Sequence, residues 1–134
     1  MVETERRERK MEKCRAWLKK KKVMADVFCV YPPNQRTDKQ AFECYGYDRE
    51  FQSDEGILME STGRKDRNGR EIFEWDICRF QESVGQIAYK NLHWFFLMEG
   101  GFVMELSDSS CGLLEVIGNV YENKELLPIA GNRK

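Results

Sequence analysis

From Trp94 to Leu106 the chain reads WFFLMEGGFVMEL: a fully apolar run, two glycines, then strict alternation of Phe102, Met104 and Leu106. Paired glycines accept the backbone geometry of a tight reversal, and alternation after one marks a strand folding back on its predecessor. The same grammar recurs along the chain, with short runs of strand formers set between Gly, Asn and Asp. No helical stripe between them is long enough to carry the chain from one parallel strand to the next. The expectation is a mainly β fold of antiparallel strands forming a small SH3-like barrel, with an N-terminal strand or hairpin and little helix.

Val23 to Tyr31 is rich in strand formers and is stopped by Pro32-Pro33, which supply no amide donor to a ladder. Phe42, Cys44 and Tyr45 begin a second extended stretch, and Ile57-Leu58-Met59 a third. Ile72 to Phe80 reads as one strand whose imperfect alternation implies burial on both faces. Gly85 opens another strand that Asn91 closes, Ser107 to Gly112 is a loop, and Leu114 to Tyr121 is a further strand. Asn123 then caps a last helical turn through Leu127, before Pro128. Residues 1–12 read as a charged extension, 13–127 as a single β domain and 128–134 as a tail. Near Met11, Cys14 and Leu18 the spacing and local propensity favour a helix, against the alternative of a strand entering a lysine turn.

Asp66-x-Asn68-Gly69 invites comparison with a calcium loop. Such a loop needs oxygen ligands at its first, third and fifth positions and a bidentate Glu at the twelfth. Arg70 and Ile77 occupy the last two of these, so no cage forms. Asn68 and Gly69 both tolerate positive φ, and the expected role is a tight two-residue turn between extended segments.

The hydrophobic fraction of 41% and charged fraction of 34% describe a folded domain with a heavily solvated surface. No run approaches the ~18 apolar residues of a membrane-spanning helix, and the first residues are too charged for a signal-peptide core. The expected location is the cytoplasm of a bacterial host. Five cysteines, an odd number with no Cys-x-x-Cys pair, read as free thiols rather than disulfides or a zinc knuckle. The single histidine, His93, lies beside Trp94, Phe95 and Phe96, which favours a structural role and leaves no Ser-His or Cys-His couple elsewhere. Glu71, Glu74 and Asp76 recur along residues 71–76, and on one strand Glu74 and Asp76, two apart, would share a face and offer paired carboxylates; the commoner meaning is an acidic outer face.

The net charge of -1 conceals an asymmetry, because residues 1–22 hold ten Lys or Arg against four Glu. Lys19-Lys20-Lys21-Lys22 is positioned either to meet phosphates or to sit as a solvated turn drawn to the acidic remainder of the chain.

Three segments carry a family resemblance. They are Cys14-Arg15-Ala16-Trp17 with Lys21-Lys22-Val23-Met24, then Ile57 through Glu74 with Asp76-Ile77, and Glu115-Val116-Ile117-Gly118-Asn119-Val120-Tyr121-Glu122-Asn123 with Glu125-Leu126-Leu127. In order, from about residue 13 to 127, they closely resemble the YopX proteins of bacteriophages and prophages. The resemblance implies a mainly β fold in which Arg15-Ala16-Trp17 is a first strand and the lysines its turn, overriding the local helical signal. It implies no catalytic residue. The chain departs from the family at Trp75, where the family usually has Gly before Asp-Ile, and in the charged extension before residue 13.

The expected function is that of a non-enzymatic phage or prophage accessory protein, a small binding or assembly module without cofactor or metal. Its partner is another protein or a second copy. The alternative is nucleic-acid binding through the basic N-terminal segment, with Arg6, Arg7, Lys10 and Lys13 joining Arg15 and Lys19 to Lys22 on phosphates. The residues nominated for contact are Arg15, Trp17, Lys19, Lys20, Lys21, Lys22 and Trp75, with Trp94 a further aromatic candidate.

Overall fold

The computed structural model describes residues 13–127, so the extension, with Arg6, Arg7 and Lys10, and the tail, with Pro128, lie outside the described residues. The fold is mainly β, with two antiparallel sheets and very little helix. The chain divides into two compact units, with the boundary after Ser61.

In the first unit, β1 (Cys14–Leu18) pairs with β2 (Val23–Val30) across the lysine turn, Leu18 opposite Val23. The local helical signal at Cys14 to Leu18 gives way to the strand the family resemblance implied, because Ala16 and Leu18 bury one face of a pleat. β3 (Ala41–Cys44) pairs with β2, and β4 (Glu50–Gln52) with β3. The first half of β5 (Gly56–Lys65) lies on the other side of β1, Gly56 opposite Leu18. The inward faces assemble Ala16, Leu18, Ala25, Val27, Phe42, Cys44 and Phe51 into one core. Val27 and Cys29 oppose successive residues Cys44 and Glu43, so β2 carries a bulge at Phe28.

In the second unit, the end of β5 leads through a turn to β6 (Glu71–Phe73). A five-stranded sheet follows in the order β10-β9-β8-β7-β11, comprising β7 (Asp76–Phe80), β8 (Ser83–Lys90), β9 (His93–Met98), β10 (Val103–Glu105) and β11 (Glu115–Asn119). Its core gathers Ile72, Cys78, Ile87, Phe96, Leu106, Cys111, Leu114 and Val116. The Gly100-Gly101 reversal forms as expected, both glycines at positive φ, and sets Val103 opposite Leu97. Among the described residues neither sheet's strand order closes on itself, so the closed SH3-like barrel expected from the short antiparallel strands is not shown: the order leaves β10 and β11 as edges of the second sheet.

Four local expectations need correction. Ile72 to Phe80 is not one strand: β6 and β7 belong to different sheets, and the chain turns between them at Trp75, whose φ is 68°. The Trp75 amide donates to the Ile87 carbonyl at 2.8 Å and its carbonyl accepts from Val120 at 3.0 Å, which fixes the corner. The Asp66 turn spans five residues rather than two, and only Gly69 takes a positive φ there. Ser107 to Gly112 contains a short helix, α1 (Asp108–Cys111), because Ser107 and Ser110 form a reciprocal capping box. Asn123 precedes a 3-10 turn at Lys124–Leu126 without capping it, since its Oδ1 accepts the Asn119 amide instead.

Among the described residues no helix is long and apolar enough to cross a membrane.

Candidate functional site

The lysine turn is built by backbone geometry before charge. Lys22 adopts a φ of 57°, and its amide returns to the Leu18 carbonyl at 2.7 Å. The turn thereby projects its side chains beside a cleft of about 360 Å³ lined by Leu18, Lys19, Lys20, Lys21, Arg49, Phe51, Asp54 and Glu55. The wall opposite the lysines is the β3–β4 connection and the turn after β4.

Arg49 is the most constrained cation in this cleft. Its guanidinium lies 4.0 Å over the Phe51 ring, donates to the Glu50 carbonyl at 2.8 Å and pairs with Glu55 Oε2 at 3.2 Å. Phe51 is buried against Phe42 and Tyr47, so the plane on which the guanidinium rests is itself rigid. Glu55 is held in turn, its Oε1 accepting the Gln52 amide at 2.8 Å. That amide, with Arg49, keeps the Glu55 carboxyl below its ordinary pKa.

The lysines are engaged to different degrees. Lys19 Nζ donates to the Asp54 carbonyl at 3.3 Å, and Lys21 Nζ stands 5.5 Å from the centre of the Tyr47 ring. Asp54 is paired with Lys39 at 2.9 Å, and that hydrogen bond lowers its pKa. Lys20 and Lys22 make no ion pair among the described residues. The acidic members are thus largely committed while two ammonium groups are not.

Arg15, nominated with the lysines, is buried at 7% exposure, and its place in β1 sets it opposite Asp26 and Met59. It is therefore not part of the exposed cationic turn. Trp17 is half-buried on β1 opposite Met24 and Ile57. Trp75 is half-buried at the β6–β7 corner, and Trp94 packs against the core of the second unit. The structure groups Lys19 to Lys22 and leaves the tryptophans outside the cleft.

Glu71, Glu74 and Asp76 do not share a strand face. Glu71 lies on β6, Glu74 in the corner and Asp76 on β7, where its buried carboxylate accepts the Phe73 amide at 2.8 Å. Asp66 likewise serves the backbone, accepting the amides of Asn68, Arg70 and Val116. His93 Nδ1 lies 3.0 Å from Glu105 Oε2 on an exposed face. Among the described residues no group of three or more His, Cys, Asp or Glu side chains is placed to hold a metal.

Sequence reasoning did not nominate Arg49, Phe51, Asp54 or Glu55. Their grouping depends on the turn after β4, which brings Glu55 back to Arg49. An exposed ring pair was also missed: Phe28 on the β2 bulge and Tyr45 after β3, with centroids 5.1 Å apart. The one available signal was Tyr45-Gly46-Tyr47 preceding Arg49, an aromatic and cationic cluster in a polar connection.

The second unit contributes one exposed apolar feature. At the edge of its sheet, Val103 is 58% exposed and the preceding Phe102 is 71% exposed. An edge strand with bare apolar side chains is a template for pairing with another strand.

Three comparisons bear on this arrangement. The family model described as YopX protein matches residues 13–128. The crystal structure of protein EF1440 from Enterococcus faecalis is similar with a TM-score of 0.64 and 27% sequence identity, covering 87% of this chain and 97% of that one. Comparison with curated proteins returned no match.

Proposed function

Because the chain belongs to the YopX protein family, we propose that it is a non-enzymatic accessory protein of a bacteriophage or prophage, acting as a binding or assembly module in the host cytoplasm. Groups with chemical potential are spent on structure, which supports this reading. Asp66 and Asp76 hold backbone amides, and burial pushes up the thiols of Cys44, Cys78 and Cys111 so that they stay protonated and unreactive.

The observation that carries the proposal is the β10 edge with Phe102 and Val103 bare. Its partner is an extended segment of another protein or of a second copy, adding a strand through main-chain hydrogen bonds. Light scattering after size exclusion, together with affinity capture from host cells with and without nuclease, tests this. A nuclease-resistant partner or a dimer, lost in the Phe102→Ser, Val103→Lys double variant, is the expected result. A monomer whose captured material is unchanged by the double variant overturns it.

A second reading, nucleic-acid binding, is favoured by the pinned Arg49 plane facing the lysine turn.

A further inference from the structure

We infer that the lysine-turn end of the first unit binds single-stranded nucleic acid, a base stacking on the Arg49 guanidinium, with phosphates at Lys20 and Lys22. This rests on the second reading and names its ligand class and contacts.

Three observations converge on it. The first is a flat cation that is already immobilised. Arg49 rests on Phe51 with one face and is tied by Glu50 and Glu55, yet its side chain is still 56% exposed. A guanidinium fixed in this way offers a π-surface to a nucleobase without the entropic cost of ordering a long side chain. An acidic peptide gains nothing from that plane beyond its charge, and the two terminal nitrogens of Arg49 are already engaged, one with Glu55 Oε2 and the other with the Glu50 carbonyl.

The second is the aromatic content of the same connection. Tyr45, Tyr47 and Arg49 alternate between β3 and β4. Tyr47 meets Lys21, and Tyr45, 65% exposed, meets Phe28, 45% exposed. Tyr47 beside Lys21, with the Arg49 plane on Phe51, has the composition of single-strand sites, where bases stack and the backbone follows positive charge. Phe28 and Tyr45 form a separate exposed pair, since Phe28 faces away from the core that its neighbour Val27 enters.

The third is the charge balance. The cleft is lined by Lys19, Lys20, Lys21 and Arg49 against Asp54 and Glu55, and both acids are paired. Asp26, Asp48 and Glu50 add negative charge nearby. The uncompensated positive charge is therefore confined to the lysine turn itself, where Lys20 and Lys22 are unpaired among the described residues, too small a patch for the two phosphate backbones of a duplex.

Anisotropy of a short labelled oligo(dT), titrated with the full chain across a salt series, tests the inference, with a duplex of equal length and polyglutamate as competitors. Saturable binding at low salt, favouring the single strand and resisting polyglutamate, is expected. Arg49→Lys keeps the charge and removes the plane; it should weaken binding about tenfold while lowering the melting temperature by no more than a few degrees. Lys20→Gln with Lys22→Gln should lower the salt slope by about 0.7 for each phosphate no longer neutralised. Absence of binding at low salt, equal competition by polyglutamate, or wild-type affinity in Arg49→Lys overturns it; the last would place the binding surface outside this cleft. None of these results alters the β10 experiment, so the two proposals fail separately.

Discussion

Asp66 Oδ2 accepts the backbone amide of Val116 at 2.8 Å, joining a turn after β5 to the second residue of β11. The same carboxylate closes its own turn through Asn68 at 2.9 Å and Arg70 at 2.8 Å. A segment resembling a cation loop thus has its anionic charge consumed by three N–H donors.

Asp66→Asn should destabilise the chain by about 1–3 kcal/mol at neutral pH, because an amide nitrogen would face the Val116 N–H where an acceptor is required. Burial opposes ionisation of Asp66, but the Val116, Arg70 and Asn68 amides outweigh it and lower the pKa in the fold. The ionised group therefore stabilises the fold fully above its unfolded pKa of about 3.9, and that contribution is lost as pH falls through the lower folded value. Urea denaturation at pH 7 and pH 3 should show the gap between wild type and variant narrowing in acid. A gap that widens would contradict the assignment.

Trp75→Gly should be more stable than Trp75→Ala by about 1 kcal/mol, reversing the usual order for these two residues. Both variants lose the indole, so their difference isolates the positive φ at the corner. Thermal melts of the pair supply the comparison.

Gly85→Ala should cost more than about 2 kcal/mol or prevent folding, since a β-carbon there would lie 2.2 Å from the Leu97 carbonyl oxygen on the paired strand. Gly118→Ala should cost about 1–3 kcal/mol, because the new atom would displace the Asn123 side chain, 2.5 Å away at its oxygen, from the Asn119 amide. Chemical denaturation ranks the two.

Leu92→Gly should raise the melting temperature by a few degrees. Asn91 and Leu92 connect β8 to β9 with φ of 52° and 70°, and Leu92 is 82% exposed, so its side chain adds strain and little packing.

Thiol titration should find Cys14 and Cys29 reacting in the native protein, with Cys44, Cys78 and Cys111 reacting only after unfolding. Rapid native reaction of all five would contradict the buried core.

The antiparallel β character, the Gly100-Gly101 reversal and the end of β2 before the prolines were legible because each depends on neighbours in sequence. Trp75 was not read as a corner, since its apolar bulk continues the alternation of Phe73 and Ile77; only the family's preference for Gly there pointed to positive φ. The helix at Asp108–Cys111 escaped because its box uses Ser110 rather than the longer Glu or Gln side chain. Lys19 to Lys22 were visible as charge, whereas Arg49 required a turn that returns Glu55 to it, a relation no local pattern encodes. Arg15 looked like one of the same cations, yet the pleat that buries it depends on both neighbouring strands.

Excising Phe28 would leave Val27 and Cys29 consecutive against Cys44 and Glu43, an uninterrupted ladder. Pairing between β2 and β3 has no use for that position. A variant lacking Phe28 should fold normally and surrender only what the ring touches.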